Sequence, residues 1–176
     1  MTVRNYGRRY HLGLLVETGT KYGDMLLGLE DNFDRICSIE LSEDLVERAR
    51  NRFARCPHIE LIRGDSGKEL ANLLKRIDRA ALFWLDSHFA GAETAKGDSD
   101  TPILAELDGI FASPDLGHVI LIDDARYFGT NPDYPTLEEL KSFIRARRNN
   151  VDIHVRHDSI RITPRKAPEG SSRTGM

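Results

Sequence analysis

Short apolar runs recur along the chain, each followed by an amphipathic stretch. Leu14, Leu15 and Val16 lead to Glu17, and the glycines Gly19 and Gly23 lead into an apolar segment from Met25 to Leu29. That order is a buried strand, a tight glycine turn and a helix over 24–31. A second strand over 33–41 carries Glu40 near its end. Ser42 reads as an N-cap with acids in the turn behind it. Leu45, Ala49 and Phe53, four apart, give the next helix an apolar face to about residue 54, where Pro57 stops it. Residues 59–62 form a third short strand, followed by Gly64, Asp65 and Ser66. A helix over 66–77 then carries Leu70, Leu73, Leu74 and Ile77 as its stripe.

The second half repeats the alternation. Residues 80–85 are continuously apolar, as in a strand buried on both faces, and end in Asp86, Ser87 and His88. Polar residues 89–101 read as a mobile loop. A helix over 102–111 starts at Pro102, a residue suited to a first turn. Strand 118–122 ends in Asp123 and Asp124, and a loop over 126–135 follows, rich in Tyr, Gly, Asn and Pro. Thr136 caps a helix to about Arg147, and strands 151–156 and 159–163 are joined by a tight turn around His157 and Asp158. Strands alternating with helices predict an α/β fold: a doubly wound, mostly parallel seven-stranded sheet with a C-terminal antiparallel strand pair.

Composition narrows the picture. At 176 residues, with 40% hydrophobic and 30% charged residues, the chain reads as one globular domain over 1–163. The tail over 164–176 is rich in Pro, Gly and Ser and reads as disordered. The net charge of −3 gives no general reason to expect nucleic acid. No apolar run approaches the roughly 20 residues of a membrane span. The basic N-terminus, residues 1–11, lacks a secretory apolar region and reads as a solvated arm. Cys37 and Cys56 lack metal-type spacing; a reduced core thiol at Cys37 fits a cytoplasmic compartment. The basic run Arg145 to Arg148 is a solvated helix end.

The acids carry the chemistry. Glu17, Glu40, Asp65, Asp86, Asp123 and Asp124 all fall at or just after strand C-termini. In a parallel sheet this brings them to one edge, where a change in strand order opens a crevice. The spacing at the first turn, E-x-G-x-x-x-G, is not the G-x-G-x-x-G of a dinucleotide fold. A carboxylate is a paired acceptor for a vicinal diol, and an acidic crevice suits a cationic ligand better than a pyrophosphate.

On these residues the chain resembles the class I S-adenosylmethionine-dependent methyltransferases, over nearly the whole fold from Leu14 to Thr163. The resemblance implies that Glu17, Thr18, Gly19 and Gly23 hold the methionine part of the cofactor. Glu40 and Leu41 would meet the ribose, and Asp65 and Ser66 the adenine. Within that class, Asp86, Asp123 and Asp124 resemble the magnesium site of metal-dependent O-methyltransferases, closest to the macrocin/mycinamicin-type sugar methyltransferases and the cephalosporin hydroxylase-like group. Hard carboxylate oxygens on neighbouring strand ends suit Mg²⁺, which would orient a diol and lower its pKa. Asp86 would serve cofactor, metal and catalysis together.

Two departures bear on mechanism. The catechol-type members carry Asp-Asn where this chain has Asp123-Asp124, and a Lys where it has Phe89. The candidate base is therefore His88 or Asp86. Only 13 residues precede Leu14, so the acceptor pocket would be open, built from 89–101 and 126–135, or completed by another subunit of a homo-oligomer. Tyr127 and Tyr134 either line that pocket or fill the core. The expected activity is methyl transfer to a hydroxyl of a small sugar or natural-product acceptor, without nucleic-acid or membrane partners. The alternatives are a cofactor-binding partner subunit with no transfer of its own and, third, a nicotinamide-dependent oxidoreductase.

Overall fold

The computed structural model describes residues 2–86 and 102–165. His88, the loop 89–101 and the tail beyond 165 lie outside them.

Seven strands form one sheet: β1 (Leu14–Thr18), β2 (Arg35–Glu40), β3 (Ile59–Arg63), β4 (Leu82–Leu85), β5 (Val119–Ile122), β6 (Val151–Arg156) and β7 (Ser159–Pro164), in the order β3-β2-β1-β4-β5-β7-β6. The first five run parallel, and β7 pairs antiparallel with both β5 and β6. The order reverses between β1 and β4, the expected place for a ligand crevice at the strand C-termini.

Helices cover both faces, and residue parity assigns them. Val16, Ile39, Phe83 and Ile122 pack with Leu70 of α4 (Ser66–Leu74), Leu107 of α5 (Ile103–Ala112) and Ile144 of α6 (Leu137–Arg147). Leu15, Ile36, Leu82 and Leu121 face the other way. They pack with Val3 of α1 (Thr2–Arg9), Leu26 of α2 (Asp24–Leu29), and Ala49 of α3 (Glu43–Arg52) together with Phe53 just beyond it.

The N-terminal segment corrects the solvated-arm expectation. It is helix α1, with Val3 and Gly7 buried. Val3, Tyr6, Gly7 and Tyr10 follow the i, i+3, i+4, i+7 pattern of one stripe, and Gly7 lets Phe33 come so close that a Cβ there would lie 2.9 Å from its ring. The arginines disguised a stripe only four residues long.

Other boundaries move by a turn or less. The predicted helix over 24–31 divides into α2 and a 3₁₀ turn at Glu30–Asn32, and α4 stops at Leu74. β7 extends through Pro164, and Arg165 ties back to Asp152 at 3.0 Å and to the Asn150 carbonyl at 2.8 Å, so the ordered chain passes the expected end of the domain. The β6–β7 turn is at His157 and Asp158 as predicted, both with positive φ (49° and 57°), the pair of conformations that matches strand twist.

Thr136 closes a capping box on α6: its hydroxyl accepts from Glu139 N at 3.2 Å while Glu139 accepts from Thr136 N at 2.8 Å. Thr136→Ala is expected to cost about 1 kcal/mol, read as a lower urea midpoint at unchanged slope.

Candidate cofactor and acceptor site

Strand register builds the site. Glu17 lies opposite Ser38 on β2 and Trp84 on β4; Trp84 lies opposite Leu121 on β5, and Leu121 opposite Arg161 on β7. One row, Ser38–Glu17–Trp84–Leu121–Arg161, therefore crosses five strands on the α1–α2–α3 side. Ladder-like bonds continue past the strand ends, from Gly19 N to Ile39 O (2.9 Å), Asp86 N to Thr18 O (3.1 Å) and Asp123 N to Leu85 O (3.1 Å). Side chains alternate along strands, so Glu40, Asp86 and Asp123 stand one pleat beyond the row on the same side. Four of the six predicted acids thus share one face.

Glu17 is the electrostatic centre. It is 2% exposed, and its Oε2 accepts from Ser38 Oγ at 2.5 Å. Ser38 Oγ in turn meets Thr20 Oγ1 at 2.6 Å. Burial pushes the Glu17 carboxyl up to about 8; the Ser38 hydroxyl opposes this, and the Asp86 and Glu40 carboxylates add to it. The unpaired charge is unfavourable in the free protein, and a cationic ligand would relieve it.

Glu40 fixes the glycine turn. Its Oε2 accepts from Lys21 N and its Oε1 from Ser42 N, both at 2.9 Å. An ionised carboxylate offers about four acceptor positions, so capacity remains for hydroxyl donors. The turn needs left-handed backbone at Gly19, Lys21 and Gly23 (φ 84°, 50° and 74°). Thr18 has the opposite parity to Glu17; it is fully buried, and its hydroxyl has no hydrogen-bond partner among the described residues. Its carbonyl accepts from Asp86 N at 3.1 Å. Leu41 is half-buried beside Glu40, and Asp65 stands at the N-cap position of α4 with buried Ser66 behind it.

Asp86, Asp123 and Asp124, the carboxylates expected to hold Mg²⁺, have different surroundings. Asp123 is half-buried and pushed up to about 6, first by burial, then by Asp86, Asp124 and Asp158, with the Asp124 backbone N–H opposing. Asp124 takes a left-handed conformation (φ 55°) and its carboxylate pairs with Arg126 Nη1 at 2.6 Å. Arg126 also pairs with Asp158 and stacks over Tyr127 at 4.6 Å. Asp158 reaches back across the sheet edge, accepting Arg126 N at 2.8 Å. Among the described residues no group of three His, Cys, Asp or Glu side chains is placed to hold an ion. Tyr134 packs against the core and edge-on to Phe128, 5.1 Å between ring centres, and leans on Tyr127 at 5.6 Å.

Sequence reasoning missed Ser38, Asp158 and Arg161. Ser38 and Arg161 were legible in principle, as polar residues alternating with isoleucines inside strands; Asp158 was visible only as a turn residue.

No family model and no curated protein sequence matches the chain. Solved structures do. The chain is similar to an S-adenosylhomocysteine-bound methyltransferase of Podospora anserina (TM-score 0.64, 16% identity, covering 94% of this chain and 77% of that one). It is also similar to the O-methyltransferase TomG of Streptomyces achromogenes, solved with S-adenosylmethionine (TM-score 0.65, 18% identity, 94% and 78%), and to an rRNA methylase of Streptococcus thermophilus (TM-score 0.57, 13% identity, 94% and 96%). The chain has the Rossmann-like fold of the S-adenosylmethionine-dependent methyltransferases.

Proposed function

We propose that the chain is an S-adenosylmethionine-dependent methyltransferase acting on a hydroxyl of a small acceptor. The observation that carries this reading is the set of four carboxylates on one face at the sheet's switch point, with buried Glu17 at its centre. The acids fit the cofactor's chemistry. Glu17, Ser38 and the Gly19–Gly23 turn would hold the cationic methionine end, and Glu40 the ribose hydroxyls. When bound, S-adenosylmethionine supplies a methyl group on a sulfonium.

This chain's residues do the rest. Trp84, half-buried although its strand is central, floors the crevice between cofactor and acceptor sides. Asp123, pushed up to about 6, is a better proton acceptor than an ordinary carboxylate and would take the acceptor's hydroxyl proton. Asp86, between Glu17 and Asp123, links the two ends. Most of the rate would come from holding the oxygen in line. No step of this scheme is routed through Mg²⁺.

Calorimetric titration of S-adenosylhomocysteine tests the cofactor half, with roughly micromolar affinity expected. No heat and no thermal shift at saturation would sink the reading. Binding without transfer from S-adenosylmethionine to any of a panel of catechols, sugars and hydroxylated aromatics would favour the partner-subunit alternative.

A further inference from the structure

Among the described residues Arg161 is the buried arginine, and its pairing differs from that of the ion-paired ones. Arg35, Arg63, Arg76, Arg126, Arg147 and Arg148 each face a carboxylate within 2.8 Å. Arg161 is only 8% exposed, and no carboxylate pairs with it among the described residues. Its partners are neutral: the Ser159 hydroxyl at 3.1 Å, the Arg156 carbonyl at 3.0 Å and the Tyr6 hydroxyl at 3.5 Å. The guanidinium stacks on the Tyr6 ring at 5.5 Å. Those bonds use three of its five donors. A buried charge with only neutral partners is costly to keep, and a fork of spare N–H groups matches a carboxylate or a phosphate.

Its position gives the site a use. Arg161 lies on β7 in the row that holds Ser38, Glu17, Trp84 and Leu121, with His154 of β6 opposite it on the outer side. With strands about 4.8 Å apart, it lies about 10 Å from Trp84 and about 14 Å from Glu17. Glu17 and Glu40 lie on β1 and β2, Asp123 just beyond β5, and the cation stands on β7 beneath Tyr6 of α1.

We propose that Arg161, with Tyr6 and Ser159, is an anion-binding subsite that selects acceptors carrying a carboxylate or phosphate group. The acceptor class is then a small hydroxylated anion lying across Trp84, its charged end on β7 and its hydroxyl toward Asp86 and Asp123. The hydroxyl's role rests on the methyltransferase reading above; the anion site does not.

The sole tryptophan, Trp84, lies in the same row and reports on it. The test titrates the protein, with and without saturating S-adenosylhomocysteine, with benzoate, inorganic phosphate and the neutral isostere benzamide, following Trp84 emission. Benzoate or phosphate should half-saturate at least about tenfold below benzamide, and the stronger of the two names the anion. Arg161→Met should abolish the preference and Arg161→Lys retain part of it, with S-adenosylhomocysteine affinity within about threefold of wild type.

Equal responses to benzoate, phosphate and benzamide in the wild type would overturn the proposal without any variant. So would a preference that survives Arg161→Met, which would make the arginine only a tie between the β6–β7 turn and α1. An equal loss of S-adenosylhomocysteine and anion binding would assign Arg161 to the cofactor's own carboxylate instead. If the wild type fails to bind S-adenosylhomocysteine, the methyltransferase reading falls, while the cofactor-free titration still decides the anion site.

Discussion

Glu17→Gln is expected to stabilise the free protein at alkaline pH and to weaken cofactor binding. The Glu17 carboxyl titrates at about 8 in the folded chain, against 4.5 for an ordinary glutamate, chiefly because burial disfavours its charge. Between those values the folded protein holds a proton that the unfolded chain has lost. Stability therefore falls as pH rises from about 4.5 to about 8 and levels off above. At 1.36 kcal/mol per unit, the full penalty is bounded at roughly 5 kcal/mol. A neutral glutamine keeps an acceptor for Ser38 and carries no such penalty. At pH 8.5 the variant should be more stable by about 3 kcal/mol, a rise of roughly 5–10 °C in melting temperature. At pH 5 the two proteins should nearly coincide. Asp123 also loses stability with rising pH, over the lower part of this range, but it does so equally in both proteins. Urea unfolding across pH 5–9 measures the difference, and parallel profiles would refute it.

The same substitution should weaken S-adenosylhomocysteine about 100-fold, because the ligand's ammonium group loses its buried counter-charge. Wild-type binding at pH 7 should release close to one proton, since the bound cation ionises Glu17; the variant should release none. Titrations in buffers of different ionisation enthalpy read that number directly. The stability gained and the affinity lost have one origin, a carboxylate held ready for a charge that arrives with the ligand.

The acids at the strand ends were legible in the sequence because β-sheet parity is arithmetic. A residue closing an apolar run in a parallel strand must emerge at the carboxyl edge, whatever the details of packing. The closing hairpin was legible for a similar reason: His157 and Asp158 sit between two short β-rich segments. What sequence did not show depends on contacts between distant elements. The resemblance makes Asp124 a metal ligand, yet its carboxylate pairs with Arg126, which also holds Asp158, 32 residues on. Arg161 drew no notice in the sequence, because what marks it is its burial and its contact with Tyr6 of α1, 155 residues away. Helix α1 was misread because its value lies in what it covers. Its stripe is short, and its arginines point to solvent or, like Arg4, reach Gly28 O at 2.6 Å.

Gly23→Val should be the most damaging single change in the cofactor turn. Gly23 has φ 74°, a region that costs an ordinary residue about 1–2 kcal/mol and a β-branched residue more. A Cβ there would stand 2.8 Å from the Phe53 ring, which is 5% exposed and stacked under Arg52 at 5.7 Å. Arg52 in turn holds the Tyr22 carbonyl and Asp24, at 2.5 and 2.7 Å. The ring cannot yield without moving the turn, and overpacking of this kind costs about 1–3 kcal/mol. Together the two effects amount to about 4 kcal/mol, a large share of a typical domain's 5–15 kcal/mol. The damage should extend to binding. Gly23 N closes on Thr20 O at 2.8 Å, Thr20 touches the Ser38–Glu17 pair, and Lys21 N anchors Glu40. A displaced Gly23 therefore disturbs Glu17 and Glu40 together, and under the proposed function affinity for S-adenosylhomocysteine should fall about 30-fold or more. A double-mutant cycle separates the causes. Gly23→Ala should cost about 2–3 kcal/mol in the wild-type background. With Phe53→Leu the ring clash is gone, and the increment should shrink to the backbone part, about 1–1.5 kcal/mol. An increment unchanged by Phe53→Leu would place the whole cost in the backbone. A Gly23→Ala penalty below about 0.5 kcal/mol would mean that the turn does not hold its left-handed conformation in solution.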